Sequence, residues 1–341
     1  MHLIHLLSQI KNDENLEASV FCIGGGELEK KLRELKISVS TFEMENLWSI
    51  KDIWAMGKAI KALNPDLVHC HLNRAALYGS LFCKFLKIPV ISTAHGLTKS
   101  IYYKFSNKII CVSEAVKKHF LISLSDRKSS LVTIHNGIPL TTKYNDNEVS
   151  KIRKKLNVTN KDRLVTVIGT FHKNKGQDIA IKAINEIHNS KNVHLLLTGA
   201  GPEEKNLHTL SKLLPLAGRI HLLPHQAELG NIYKASDVIL VPSHKEALSL
   251  VTLEALLHET PVIASHTGGI PEIITNKEEG ILVEPGNSKA LAKAITDCID
   301  NYRGSIAMAK DGHKKVLEQF SLKLCYQKTR ELYFTQMNTD N

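Results

Sequence analysis

The feature that most constrains this chain is an alternation, dominant in its second half, of a short, mostly apolar and β-branched run with a longer helical pattern. The runs fall at 164–168, 193–197, 220–223, 238–241, 262–264 and 281–283. Helical patterns at 177–188, 203–214, 229–235, 251–258 and 288–300 separate or follow them. A strand written as continuous Val, Ile and Leu buries both faces, and helices on both sides of a parallel sheet supply that burial. This half therefore predicts a doubly wound α/β domain.

The first half alternates less regularly, with strands expected at 18–23, 67–69, 90–93, 109–112 and 132–134 and helices at 28–35, 50–63, 75–86 and 114–121. Residues 1–10 read as helix, so the strand and glycine-rich turn that normally open such a domain are not seen. The expectation is an abbreviated first domain or a recorded start downstream of the true one. The polar stretch 141–150, with Asn145-Asp146-Asn147, is the predicted linker. The predicted organisation is a Rossmann-like domain over 1–145, a second over 146–315, and a segment 316–341 whose helix at 322–334 packs back across the first. At 341 residues there is chain enough for two cores.

Composition removes several classes. Apolar residues are 43% and charged residues 23%, an ordinary balance for a folded chain. No apolar run approaches the 18 residues of a membrane span. The start lacks a basic leader and a small-residue cleavage site, and a cytoplasmic protein is expected. The six cysteines, Cys22, Cys70, Cys83, Cys111, Cys298 and Cys325, are scattered without a C-x-x-C pair and read as buried reduced thiols.

Net charge is +10 and uneven. Between Arg74 and Lys128 ten basic residues face only Glu114 and Asp126, a net of eight positive charges. Such a block suits an anionic membrane surface or a phosphate-bearing acceptor, or a solvated face with no partner. It lacks the interleaved aromatics of a nucleic-acid reader, so no nucleic acid is expected. Trp48 and Trp54, read with the 50–63 helix and its Lys51, Lys58 and Lys61, suit either an interfacial surface on the inner face of a membrane or a packed core.

Chemistry concentrates between Pro242 and Ala255, where the 238–241 strand leads into a helix starting near Ser249. Ligands of open α/β sheets bind outside the carboxyl ends of strands, and a helix N-terminus there favours phosphate. Glu246 in the loop and Glu254 in the second turn can both face a ligand lying over that terminus. A carboxylate accepts two hydroxyl hydrogen bonds, which suits a sugar or ribose diol.

The spacing Glu246 to Glu254 resembles the E-x7-E motif of retaining glycosyltransferase family 4, whose fold is the two-domain GT-B type with domains facing across a cleft. Gly169-Thr170-Phe171-His172-Lys173-Asn174-Lys175-Gly176 looks like its G-R-L-x-x-x-K-G turn. Thr198-Gly199-Ala200-Gly201-Pro202, Ala235-Ser236-Asp237, Gly268-Gly269-Ile270-Pro271-Glu272 and Gly280-Ile281-Leu282-Val283-Glu284-Pro285-Gly286 follow in order. In the first half, Pro65-Asp66-Leu67-Val68-His69-Cys70-His71, Thr93-Ala94-His95-Gly96, Val112-Ser113-Glu114 and His135-Asn136-Gly137-Ile138 extend the likeness.

The resemblance implies transfer of a sugar from a nucleoside-diphosphate-sugar to an acceptor hydroxyl with retention, in lipopolysaccharide, capsule or other glycoconjugate synthesis. It implies that Glu254 holds the ribose hydroxyls and Glu246 the donor sugar. The backbone of Ala247, Leu248, Ser249, Leu250 and Val251 would contact phosphate and sugar, with Gly169, Thr170 and Lys173 also on the donor side. Lys175 would neutralise the diphosphate, so that no metal or other cofactor is required. His95 would face the reacting sugar, and His71 and Asn73 the saccharide or lipid-linked acceptor. A front-face attack is the expected route. A sugar-nucleotide 2-epimerase and a binding protein that has lost activity stay open as alternatives.

The pattern departs from the family at four places. Thr170 stands where an arginine is usual, and Lys173 or His172 would have to supply its charge. Thr260 occupies a position often glycine, and Leu248-Ser249 replaces a common Phe-Gly. The glycine-rich loop after the first strand has no counterpart, since Gly24-Gly25-Gly26 follows what reads as the second strand.

Overall fold

The computed structural model describes residues 2–42, 50–187, 192–213, 215, 217–224, 226 and 228–338. The chain divides into two compact units, Met1–Pro139 with Ser321–Asn341, and Leu140–Phe320. Both are α/β units with wholly parallel strand pairing.

Unit 1 runs α1 (His2–Ile10), β1 (Ser19–Ile23), α2 (Glu27–Glu34), β2 (Ser38–Phe42), α3 (Ile50–Leu63), β3 (Val68–His71), α4 (Asn73–Leu86), β4 (Val90–Ala94), β5 (Lys108–Cys111), α5 (Glu114–Leu121) and β6 (Leu131–Thr133). β1 pairs with β2, while β3-β4-β5-β6 form a separate four-stranded sheet. β2 was not expected from sequence, because Ser38, Ser40 and the half-exposed Val39 lack the continuous apolar run that marks the central strands.

Unit 2 runs α6 (Asp146–Lys155), β7 (Arg163–Ile168), α7 (Gln177–Glu186), β8 (Val193–Thr198), α8 (Glu204–Leu213), β9 (Ile220–Leu223), α9 (Gly230–Ala235), β10 (Val238–Val241), α10 (Leu250–Leu257), β11 (Val262–Ser265), α11 (Ile270–Ile273), β12 (Ile281–Val283), α12 (Ser288–Asp300) and α13 (Tyr302–Gln319). Its six strands lie in the order β12-β11-β10-β7-β8-β9. Val165, Leu195, Leu240 and Ile263 from the sheet meet Ile181, Ile184, Leu291 and Ile295 of α7 and α12 in one core. Each large aliphatic side chain so buried contributes about 1.5–3 kcal/mol, which is why the runs must be continuous.

The final helix, α14 (Leu322–Met337), returns to unit 1. Its Cys325, Tyr326 and Tyr333 join Leu6, Leu7 and Ile10 of α1 and Ile91 and Ile110 of β4 and β5 in the core. Asp13, just past α1, accepts the Tyr326 hydroxyl at 2.5 Å and is paired with the Arg330 guanidinium. Together they hold its carboxyl well below the usual carboxylate range. The unit boundary falls at Pro139, six residues before the expected one, and unit 2 extends to Phe320 because α13, unforeseen in the sequence, packs on α10.

The expected linker over 141–150 is corrected in its second half only: 141–145 carry no helix or strand, and 146–150 belong to α6. Asn145 accepts the N–H groups of Asn147 and Glu148 at 2.9 and 3.3 Å, so Asn145-Asp146-Asn147 is the capped start of α6. The same short polar residues serve turns and caps, and sequence alone does not separate the two. All six cysteines are buried free thiols. Among the described residues no helix is long and apolar enough to cross a membrane. Trp48 lies outside the described residues; Trp54 is 60% exposed, so it is no core residue.

Candidate active site

The strand order of unit 2 locates its ligand end. From β7 the chain adds β8 and β9 on one side, then crosses back and adds β10, β11 and β12 on the other. The crevice outside the carboxyl ends of β7 and β10 is thus the point where the order reverses, the usual ligand position in an open α/β sheet. A shallow depression lies there, lined by Ile168, Lys175, Pro242, Ser243, Glu246 and Ser249 among others.

Two loops build it. After β7, residues 169–176 turn tightly: His172 Nδ1 accepts the Asn174 N–H at 3.2 Å, and Lys173–Lys175 form a 3-10 turn. After β10, the loop leading to α10 is clipped to that turn by the His244 N–H donating to the Asn174 carbonyl at 2.8 Å. Contact is so close that a Cβ on Gly176, at φ +66°, would lie 2.0 Å from the Pro242 carbonyl oxygen. The opposite flank of the loop is held by Gly268, at φ +54°, whose Cβ would fall 1.6 Å from the Glu246 carbonyl oxygen. Backbone can come this near only where a side chain is missing.

These clamps bring Lys175 and Glu246 together. Lys175 Nζ is 2.7 Å from Glu246 Oε2, and Ser243 Oγ donates to the same oxygen at 3.3 Å. Ser249 caps α10, its Oγ accepting the Thr252 N–H at 3.2 Å. The first N–H groups of a helix have no acceptor inside it, so those of Leu250 and Val251 remain for an anion. Leu248 is buried, and its contribution to a ligand is confined to its backbone, like that of Ala247.

Glu254, in the second turn of α10, accepts a hydrogen bond from the Tyr233 hydroxyl at 2.6 Å. Burial pushes the Glu254 carboxyl up while that hydrogen bond pulls it down, and the net direction is upward. Gly169 sits at φ +142° with open space where a Cβ would be. Thr170 is exposed, its carbonyl held by Gln177 Nε2 at 2.9 Å. Of the two groups expected to replace the missing arginine, His172 is occupied in capping the turn and Lys173 stands exposed within it. Thr260 Oγ1 donates to the Tyr233 carbonyl at 3.1 Å, and the left-handed residue of that turn is its neighbour Glu259, at φ +55°.

In unit 1 the marked residues gather at the carboxyl ends of β3 and β4. His71 Nδ1 lies 3.0 Å from His95 Nε2, with the rings stacked at 24°. His69 bridges the Tyr333 hydroxyl at 2.6 Å and Thr93 Oγ1 at 2.7 Å. Burial is the main cause that drives His95 down to about 4 and His69 to about 3, so these rings are neutral. His71 Nε2 is buried without a hydrogen-bond partner among the described residues. Asn73 accepts the Tyr103 hydroxyl at 3.0 Å. Leu72, between the two acceptor-side candidates, holds φ +73° and ψ 157° with its side chain exposed. That region is reserved almost entirely for glycine, and such strain concentrates at functional turns.

Sequence reasoning missed Tyr233, Ser243 and His69. A buried tyrosine normally seeks a partner for its hydroxyl, but nothing in the spacing of Tyr233 and Glu254 says that α9 and α10 meet. Among the described residues no group of three or more His, Cys, Asp or Glu is arranged to hold a metal ion.

Two parallel α/β units, one carrying a cation, two carboxylates and a helix start at the switch point of its sheet, define the class of this protein. Residues 148–315 match the family described as Glycosyl transferases group 1, and residues 2–142 match Glycosyltransferase Family 4. The chain belongs to this family of GT-B-type glycosyltransferases. It is 26% identical to the D-inositol 3-phosphate glycosyltransferase of Corynebacterium glutamicum over 72% of this chain and 66% of that protein, just under two thirds of its length. It is 24% identical to the N-acetyl-alpha-D-glucosaminyl L-malate synthase of Bacillus anthracis, over 84% of this chain and 78% of that one. Its fold is similar to that of Anabaena HepE in complex with UDP-glucose, with a TM-score of 0.88, 23% identity and coverage of 98% and 95% of the two chains.

Proposed function

We propose that this chain is a retaining glycosyltransferase that moves a sugar from a nucleoside-diphosphate-sugar to an acceptor hydroxyl. The observation that carries the reading is the Lys175–Glu246 pair at 2.7 Å beside the start of α10, with Glu254 a turn further on. Lys175 and the first N–H groups of α10 meet the diphosphate, Glu246 accepts hydroxyls of the donor sugar, and Glu254 those of the ribose. As the bond from the anomeric carbon to the phosphate oxygen breaks, negative charge grows on the diphosphate. Lys175 and the helix N–H groups are already in place to stabilise it, with no metal required. The new bond forms from the acceptor oxygen on the same face, and its proton passes to the departing phosphate oxygen. His95, His71 and Asn73 are the unit 1 residues that this reading assigns to the reacting sugar and the acceptor.

The acceptor is read as a saccharide or lipid-linked glycan reached from an anionic membrane surface on the cytoplasmic side. Trp54, Lys58 and Lys61 support this by sharing one exposed face of α3, at helical spacing. Phe85 and Ile122 stand 77% and 85% exposed beside Lys84 and near Lys118. Part of the basic block serves the fold instead: Arg127 donates to the carbonyls of Tyr103, Lys104 and Ser106, and Lys108 to that of Ser129.

The test is thermal stability of the purified chain against UDP-, GDP- and ADP-sugars, UDP-glucose first because the similar Anabaena structure holds it. A stabilising donor raises the melting temperature by mass action, and Glu254→Ala should remove the shift. No shift with any donor would end the reading. Product formed from donor alone, with no acceptor, would replace transfer by epimerisation.

A further inference from the structure

We propose that Tyr233 is the positioning residue for Glu254, so that the hydroxyl-accepting group of the donor site is a two-residue unit drawn from α9 and α10. The inference rests on the donor-site reading above and deepens it.

Tyr233 is only 1% exposed, and its hydroxyl makes the one hydrogen bond given to the Glu254 carboxylate by the described residues, at 2.6 Å to Oε2. Tyr233 is held at its ring and at its backbone. Its plane stacks on His258 at 5.2 Å and 18°, and its own carbonyl is held by Thr260 Oγ1 at 3.1 Å. His258 lies four residues after Glu254, on the same side of the helix end. The tyrosine is therefore wedged along the stretch of α10 that carries the carboxylate. Burial, with Lys234 and His313 nearby, drives His258 down to about 4, so that the stacking partner is a neutral ring and adds no charge beside Glu254.

An ionised carboxylate only accepts hydrogen bonds, and an O–H donor pointed at charge is about twice as strong as a neutral one. With Oε2 taken by Tyr233, rotation of the carboxylate is stopped and Oε1 is left for the ligand. The same bond works against desolvation, which otherwise favours the protonated acid, in which one oxygen becomes an O–H donor and acceptor capacity is lost. Tyr233 thus does for Glu254 two things the glutamate cannot do alone: it sets direction and it keeps charge.

The test is titration calorimetry of UDP into the full chain at pH 6 to 8.5, for wild type, Tyr233→Phe, Glu254→Gln and the double variant. Phenylalanine keeps the ring against His258, and a melting temperature within a few degrees of wild type confirms the fold. Tyr233→Phe is expected to weaken UDP roughly tenfold, the scale of one hydrogen bond to a charged group. In the Glu254→Gln background the same change should cost almost nothing. The pH below which affinity falls should move upward in Tyr233→Phe, an effect that simple loss of packing does not produce. Equal affinity of Tyr233→Phe and wild type, or losses that add in the double variant, would overturn the proposal alone. A wild-type chain that takes up neither UDP nor GDP nor ADP would overturn the donor-site reading and this inference with it.

Discussion

Lys175 Nζ lies 2.7 Å from Glu246 Oε2, so the cation assigned to the diphosphate is held by the carboxylate assigned to the sugar. With the glutamate side chain only 11% exposed, the pair is screened by less water than a surface ion pair. A diphosphate must therefore compete with Glu246 for Lys175. Glu246→Gln frees the lysine, and we expect UDP to bind as well as in wild type or a few-fold tighter. Turnover should nevertheless fall about a hundredfold, the scale of losing one group aimed at the reacting centre. Lys175→Ala should weaken UDP about tenfold while leaving uridine nearly unchanged, as expected for one charged hydrogen bond. Calorimetry with both ligands decides it; equal losses for UDP and uridine would move Lys175 away from the phosphates.

Thr170 is exposed at the mouth of the turn after β7, where the family pattern carries an arginine. Thr170→Arg adds a planar five-donor cation suited to phosphate. It should tighten UDP several-fold, with a steeper loss of affinity as salt rises. An unchanged affinity across 50 to 500 mM salt would show that the turn does not face the diphosphate.

Gly268 marks the tightest backbone approach in the site. Gly268→Ala places a Cβ against the Glu246 carbonyl in a left-handed conformation, and we expect roughly 2–4 kcal/mol of lost stability in urea together with loss of donor binding. Gly218→Ala, where the added carbon meets nothing within 4 Å, is the control and should be near neutral. A Gly268→Ala protein as stable as the control would mean that the loop around Glu246 yields easily.

The buried histidines make stability fall with acid. His2, His69 and His95 are driven down to about 3, 3 and 4, and His71 well below its ordinary value, chiefly by burial. In the unfolded chain the same rings protonate near pH 6.5. Below that pH the unfolded state binds protons that the folded state refuses, so stability declines from about pH 6.5 downward, each such ring adding a slope of up to about 1.4 kcal/mol per pH unit. Urea unfolding between pH 7 and 5 measures it, and His71→Asn should flatten the slope by one proton. A profile flat over this range would contradict burial of the cluster.

Several parts of this architecture were legible in the residues alone. Six mostly apolar runs read as parallel strands, and unit 2 contains them with boundaries moved by one residue at most. The loop from Pro242 into α10 was legible for a related reason, since a strand end followed by a helix start is a local pattern. Capping broke the reading at Asn145, where one residue type serves two structures. β2 and α13 escaped because neither carries the strong periodicity that burial on two faces imposes.

Residue order thus determined the strands, the helices and the position of the phosphate-favouring helix start, because each follows from interactions within a few residues. Tertiary structure alone decided which side chains meet across loops and elements. Lys175 reaches Glu246 over 71 positions, Tyr233 reaches Glu254 over 21, and His71 reaches His95 over 24. It also decided protonation: a histidine in the sequence has an ordinary pKa, and burial chiefly drives those of His2, His69, His71 and His95 below it. Charge and contact depend on what lies nearby in space, and packing sets that.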